Sequence, residues 1–249
     1  MKLKYFLLAI YLAVTASNIE IIADAAEADY VMQQSLTAES VPADILAESL
    51  ARLPVVQRAD LDAIGQDAFD TYVRPGTGYE TGLRGPIGMW MHSPEVAKAM
   101  FNVRRRVRYG SAIDQRLTEL TIISTAREID SQYIYTAHEP AARDAGLEQE
   151  IIDIVRFQVP LDQVVETDGL GEREKAIIQF AREVINEEKV GSETFAKAIE
   201  LFGNEGVMDL TGLIGYYDFV SMTVRAFDVQ RPIGNELLLP IRVGEAGNE

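Results

Sequence analysis

Beyond residue 93 the chain is written almost entirely in the helical period, with apolar side chains recurring three and four apart in segments separated by capping residues and turn formers. Ser93-Pro94-Glu95 opens the first segment, since Ser can cap free backbone amides and Pro at the first helical position sacrifices no bond; the helix is expected through Arg106. Asp114 caps the next, where Leu117, Leu120, Ile123 and Ala126 fall on one face. Asp130-Ser131 interrupts the pattern and caps a third helix, Gln132 to Ala145, closed by Gly146 where a left-handed residue is favoured. These two helices are expected to form a hairpin. Periodicity resumes at Glu148–Arg156, Glu172–Glu187 and Ser192–Phe202, and Val207–Phe227 is apolar nearly all round. That last run approaches membrane length, but Asp209, Asp218 and Arg225 are expensive in lipid, so it reads as a buried central helix. No run alternates as a strand does, so the fold class is all-α.

Ahead of this lie two shorter helical patterns, Ala43–Leu53 and Leu61–Tyr72, and a Gly- and Pro-rich loop from Pro75 through Pro86. The expected organisation is an N-terminal helical extension and loop over 26–90 and a helical domain with a C-terminal tail over 91–249, together one compact unit. Residues 1–25 carry Lys2 and Lys4, the apolar run Phe6 to Val14, and small-residue cleavage patterns at Val14-Thr15-Ala16 and Ala23-Asp24-Ala25. This is the pattern of a secretory signal peptide and implies export, to a periplasm or to the outside. The run is too short to span a bilayer comfortably, so no stable membrane insertion is expected.

Charge and cysteine usage narrow the chemistry. With 23 Lys plus Arg against 39 Asp plus Glu, a net −16, the chain repels phosphate backbones, and nucleic acid is not an expected partner. The absence of cysteine removes disulfides, thiolate zinc sites and every thiol-based redox mechanism. Two histidines, His92 and His138, are too few for a His-rich metal centre, and no metal-ligand spacing stands out. Neither metal nor cofactor is expected.

The hairpin is the richest stretch, with Glu119 and Glu128 on one helix and Tyr135, His138 and Glu139 within one turn of the other. Tyr135 and His138, three apart, are expected to share a face. An imidazole with carboxylate and phenol neighbours holds a proton near neutral pH and passes it on, the minimum equipment for acid–base catalysis. The plainer alternative is a core histidine satisfied by hydrogen bonds across a helix pair. Arg104, Arg105, Arg106 and Arg108 form a basic cluster in an acidic chain, read as pairing with surplus carboxylates or, more sharply, as substrate capture. Trp90 and His92 are explained by packing, and Tyr216-Tyr217 by core packing or by lining a pocket.

The run Arg116-Leu117-Thr118-Glu119-Leu120, then Ala126-Arg127-Glu128, Tyr133 to His138-Glu139 and Ala145-Gly146-Leu147, resembles the carboxymuconolactone decarboxylase family, which includes alkylhydroperoxidase D. Flanking pieces agree: His92-Ser93-Pro94-Glu95, Arg173 to Ile177, and the Pro232 to Pro240 tail resemble longer, exported-type members, so the resemblance covers roughly 45–240. It implies an alkylhydroperoxidase D-like helical domain and a homo-oligomer, trimer or hexamer. In the peroxidase branch the motif is Glu, eleven residues, Cys, any, His, Cys, three residues, His. Here Glu119 and His138 occupy the outer places, while Ser131, Tyr133 and Ile134 stand where Cys, His and Cys would be. Serine cannot pass through the sulfenic acid and disulfide steps, so thiol peroxidase chemistry is excluded.

The decarboxylase branch works without cysteine or cofactor. The resemblance therefore implies a lyase-type acid/base enzyme for a small carboxylated or lactone substrate, with Glu119 and His138 catalytic, Arg116 and Arg127 candidates to hold the substrate carboxylate, and Tyr133 or Tyr135 as donors. The alternative is a non-catalytic oligomeric binding or scaffold protein that kept the fold. An enzyme requires a partly buried His138 in a polar cavity near Glu119; a scaffold requires a dry, packed hairpin.

Overall fold

A computed structural model describes residues 30–35, 37–164 and 166–242; the expected signal peptide, residues 1–25, lies outside the described residues. The described residues are mostly helical, in the order α1 (Ala63–Tyr72), α2 (Gly85–Trp90), α3 (Pro94–Arg104), a π-helical turn (Arg105–Gly110), α4 (Gln115–Glu128), α5 (Gln132–Asp144), α6 (Gln149–Arg156), α7 (Glu172–Asn186) and α8 (Ser192–Phe227). The expected caps set several starts. The Asp114 carboxylate accepts from the Leu117 amide at 3.0 Å, Pro94 sits at the first position of α3, and Gly146 follows α5 with φ +87°.

The centre of the molecule is α4, not the last helix. Every residue from Leu117 to Arg127 is buried, and α5, α7 and α8 pack around it. Sequence periodicity made α4 look one-sided because Thr121 and Thr125 counted as polar. Their hydroxyls donate back to the carbonyls of Leu117 and Thr121, each at 2.8 Å, so they enter the core already satisfied. Leu120, Ile122 and Ile123 lose all exposure, each worth about 1.5–3 kcal/mol. The last helix, expected to be central, instead keeps Met208, Thr211, Gly215 and Met222 exposed along one side. Its two expected segments join at Gly203, whose φ of 66° and ψ of 176° break the helical path between them.

Three further expectations are corrected. Ala43–Leu53 is not a helix: it folds into turns closed by a bridge between Leu46 and Ala51, with Leu50 at φ +52°. The backbone there bonds to the end of α8 instead, Arg52 N–H to the Phe227 carbonyl at 2.9 Å and Gln230 N–H to the Leu50 carbonyl at 2.7 Å. The loop expected through Pro86 ends earlier, because Pro86 lies in the first turn of α2, where its missing N–H is no loss. Two strands also form, β1 (Tyr30–Met32) and β2 (Pro240–Arg242), antiparallel with Val31 opposite Ile241. Neither is long enough to show alternation, and the long-range pairing itself makes them strands. Among the described residues no helix is long and apolar enough to cross a membrane.

Candidate functional site

The hairpin of α4 and α5 brings Glu119 and His138 together. His138 Nδ1 lies 2.8 Å from Glu119 Oε2, and Arg108, from the π-helical turn, donates to Glu119 Oε1 at 2.5 Å. A single carboxylate thus bridges an imidazole and a guanidinium, with only 4% of the Glu119 side chain exposed. π-Helical turns recur at functional sites. Here the turn presents Arg108 to the site while its neighbour Arg106 pairs outward with Asp209 and Glu205.

Burial pushes the Glu119 carboxyl up, but the hydrogen bond and charge of His138 and the charge of Arg108 outweigh it and hold the group below the ordinary carboxylate value. Burial pushes His138 down, reinforced by the Arg108 and Arg104 charges; the bond to Glu119 opposes the shift without cancelling it. The two directions define one state near neutral pH, an ionised Glu119 and a neutral imidazole. An ionised carboxylate only accepts, so Nδ1 carries the proton and Nε2 keeps its lone pair. No described residue hydrogen-bonds Nε2.

The His138 ring lines a cavity of about 210 Å3. Its walls are aromatic and cationic: Tyr79, Tyr133, Tyr216 and Tyr217 alternate with Arg84, Arg104, Arg108 and Arg231, while Ile87, Ile134 and Val220 supply apolar surface. Among the described residues no Asp or Glu lines it. The Tyr217 ring meets His138 edge to face at 5.0 Å and Tyr216 at 5.2 Å. Gly85 allows Tyr133 to reach the cavity: its φ is +62°, and a Cβ there would run into the Tyr133 hydroxyl.

Of the residues singled out in the sequence, the structure brings Glu119, His138 and Tyr133 to one place and leaves Arg116, Arg127 and Tyr135 outside the cavity lining. Arg116 is engaged by Glu148 and by Glu174 at 2.6 Å, and so ties α4 to α6 and α7. Arg127 lies eight residues beyond Glu119, about 12 Å along α4; it is 1% exposed, pairs with Asp130 and donates to the Pro240 carbonyl at 2.6 Å. Tyr135 does not share the His138 surroundings. A three-residue step leaves side chains about 60° apart, and at the edge of α5 that is enough to bury Tyr135 beside Glu139 and Arg156.

Trp90 and His92 are accounted for by packing, with Trp90 Nε1 donating to Thr223 Oγ1 at 2.8 Å and His92 Nε2 3.0 Å from the Pro54 carbonyl. Sequence reasoning weighed Arg104, Arg108, Tyr216 and Tyr217 without placing them at the site, although the four-residue spacing of Arg104 and Arg108 is a usable signal. Tyr79, Arg84 and Arg231 come from outside the regular helices and carry no periodic signal. Among the described residues no three His, Asp or Glu side chains converge as metal ligands.

Residues 94–183, which carry Arg108, Glu119 and His138, match the family model of carboxymuconolactone decarboxylases. Over these residues the chain is similar to the carboxymuconolactone decarboxylase family. The alkylhydroperoxidase D core of an uncharacterized peroxidase-related protein from Ralstonia eutropha JMP134 superposes with a TM-score of 0.56 at 18% identity, covering 74% of this chain and 93% of that one. A variant of the debrominase Bmp8 in complex with 2,3,4-tribromopyrrole superposes with a TM-score of 0.55 at 16% identity, covering 70% and 88%. At these identities the likeness is one of fold. No curated protein matches the chain in sequence. The carboxymuconolactone decarboxylase domain supplies the Arg108–Glu119–His138 relay, whereas Tyr79, Arg84, Tyr216, Tyr217 and Arg231 come from the flanking segments.

Proposed function

We propose that this protein is a cofactor-independent acid/base enzyme of lyase type, acting on a small carboxylated or lactone substrate. The observation that carries the reading is His138, held through Nδ1 at 2.8 Å from Glu119 with no described residue on Nε2, lining a cavity of guanidinium and phenol groups. In this reading Nε2 takes the proton of the substrate's carboxyl O–H. The carbon–carboxylate bond breaks and carbon dioxide leaves, the bond's electron pair passes into a dienolate, and the imidazolium returns that one proton to carbon. Glu119 stabilises the transient imidazolium and the arginines stabilise the enolate charge.

The peroxidase-related neighbour does not carry its chemistry over, because a chain without cysteine has no thiol to oxidise. The scaffold reading is favoured by Ile134 in a position where the peroxidase branch has a cysteine, but it leaves the cavity and its charge unexplained. Export and assembly as a homo-oligomer belong to the same proposal; the first rests on residues 1–25 and the second on family resemblance.

The test is a panel of carboxylated lactones and related acids, followed by NMR in deuterated water. Carbon dioxide loss with one deuteron placed on the carbon that lost it, abolished in His138→Gln, is the expected result. Folded protein that turns over no compound, with a His138 titration that no compound moves, returns the weight to the scaffold.

A further inference from the structure

An arginine buried in an acidic protein should be paired, and Arg104 beside the His138 cavity is not, while the half-buried Arg231 there also lacks a described carboxylate partner. Arg104 is only 8% exposed, yet its guanidinium has neutral partners alone: the Tyr109 hydroxyl at 3.1 Å, the Thr77 carbonyl at 3.4 Å, and the Tyr79 and Tyr109 rings, each 5.1 Å from the guanidinium carbon. Arg231 stacks on the Tyr133 ring at 5.4 Å, and its Nε is buried with no hydrogen-bond partner. No described carboxylate pairs with either. A desolvated guanidinium with neutral neighbours is costly, and in a chain of net charge −16 carboxylates are abundant enough to have filled the role.

Both groups line the same cavity as His138. Arg231 and Tyr133 also line a neighbouring, larger groove of about 530 Å3, so the two spaces share these side chains. The inner cavity holds the liquid volume of about seven waters at roughly 30 Å3 each. That is room for one ring and its substituent. Tyr79, Tyr216 and Tyr217 line that space, and aromatic walls suit a flat unsaturated ligand.

We propose that Arg104 and Arg231 form the anion subsite of this cavity and that its ligand is a single-ring aromatic carboxylate, the ring lying among the tyrosines and the carboxylate between the two guanidiniums. This rests on the acid/base reading of His138 for its purpose, but not for its test. Binding is measured without turnover.

Trp90, the sole tryptophan, packs edge to face on Tyr216 at 5.9 Å and reports occupancy by its fluorescence. The probe is benzoate on the full chain, compared with benzamide, cyclohexanecarboxylate and inorganic phosphate, with calorimetry as a second readout. Benzoate is expected to bind saturably, and the other three at least about tenfold more weakly. Arg104→Met and Arg231→Gln each should weaken benzoate by at least about tenfold, the fold-change of one charge-assisted hydrogen bond.

Arg104→Met should also melt at the same temperature or higher, since it removes an unpaired buried charge. If it fails to fold, Arg231→Gln decides. No saturable benzoate binding, equal binding of benzamide or phosphate, or unchanged binding in Arg231→Gln overturns the proposal. Binding without His138-dependent turnover of any compound sinks the enzymatic reading alone, and turnover without benzoate binding sinks the anion subsite alone.

Discussion

Replacing Glu119 by Gln tests the centre of the site most severely. The carboxylate is 4% exposed and divides its oxygens between His138 Nδ1 at 2.8 Å and Arg108 at 2.5 Å; the Arg108 side chain is itself only 14% exposed. Gln keeps the shape and one acceptor but removes the charge, leaving Arg108 buried without its counterion. Breaking one side of a buried pair costs about 3–5 kcal/mol, and the retained amide oxygen places Glu119→Gln at the lower end, about 3 kcal/mol. For a domain of this size that lowers the melting midpoint by about 6–12 °C.

The assay is urea unfolding of Glu119→Gln, Arg108→Met and the double variant, in a double-mutant cycle. The double variant has no stranded charge, so it should recover at least about 1.5 kcal/mol of the summed single losses. His138 should titrate lower still in Glu119→Gln, because the bond to Glu119 is what raises it. A loss below about 1 kcal/mol with strictly additive variants would refute the coupling that the relay requires.

Acid sensitivity follows from the same pair. His138 is depressed in the folded chain, so the unfolded chain binds more protons below the ordinary histidine value of 6.5; the contribution of His138 to stability is complete above that pH and shrinks as pH falls below it. That of Glu119, also depressed, is present above the ordinary value of 4.5 and lost further down, so denaturant midpoints measured against pH should fall in two stages, with the upper one absent in His138→Gln. Gly85→Ala should cost about 1–3 kcal/mol from its positive φ and from the contact with Tyr133, and pairing it with Tyr133→Phe should return part of the loss in thermal melts. Arg116→Gln should lower stability by about 1–2 kcal/mol through its partners Glu148 and Glu174 while leaving ligand binding in the His138 cavity at the level of the unsubstituted protein; a binding defect there would move Arg116 back toward the site.

What the sequence determined by itself is local. Asp114, Pro94 and Gly146 mark helix boundaries through backbone chemistry acting over a few residues, and the helical period with its breaks made the all-α class legible. Spacing placed Glu119 and Glu128 on one helix and His138 on the next, and the family resemblance picked out Glu119 and His138; the folded hairpin brings these two together. Composition was equally decisive for chemistry, since a chain without cysteine cannot run a thiol mechanism in any fold.

Which helix lies at the centre was decided only in three dimensions. Thr121 and Thr125 are polar by composition and buried by virtue of hydrogen bonds to their own helix, a compensation that periodicity does not register. The partners of arginine were decided there too. Arg116, Arg127, Arg104 and Arg108 differ little in sequence setting, but long side chains reach across helices to whichever carboxylate the packing supplies. Two found Glu or Asp away from the cavity, Arg108 found Glu119, and Arg104 found only tyrosines and carbonyls. The ladder of Tyr30–Met32 on Pro240–Arg242 belongs to the same class of facts, since pairing across more than two hundred residues is a property of the folded chain and is written in neither segment alone.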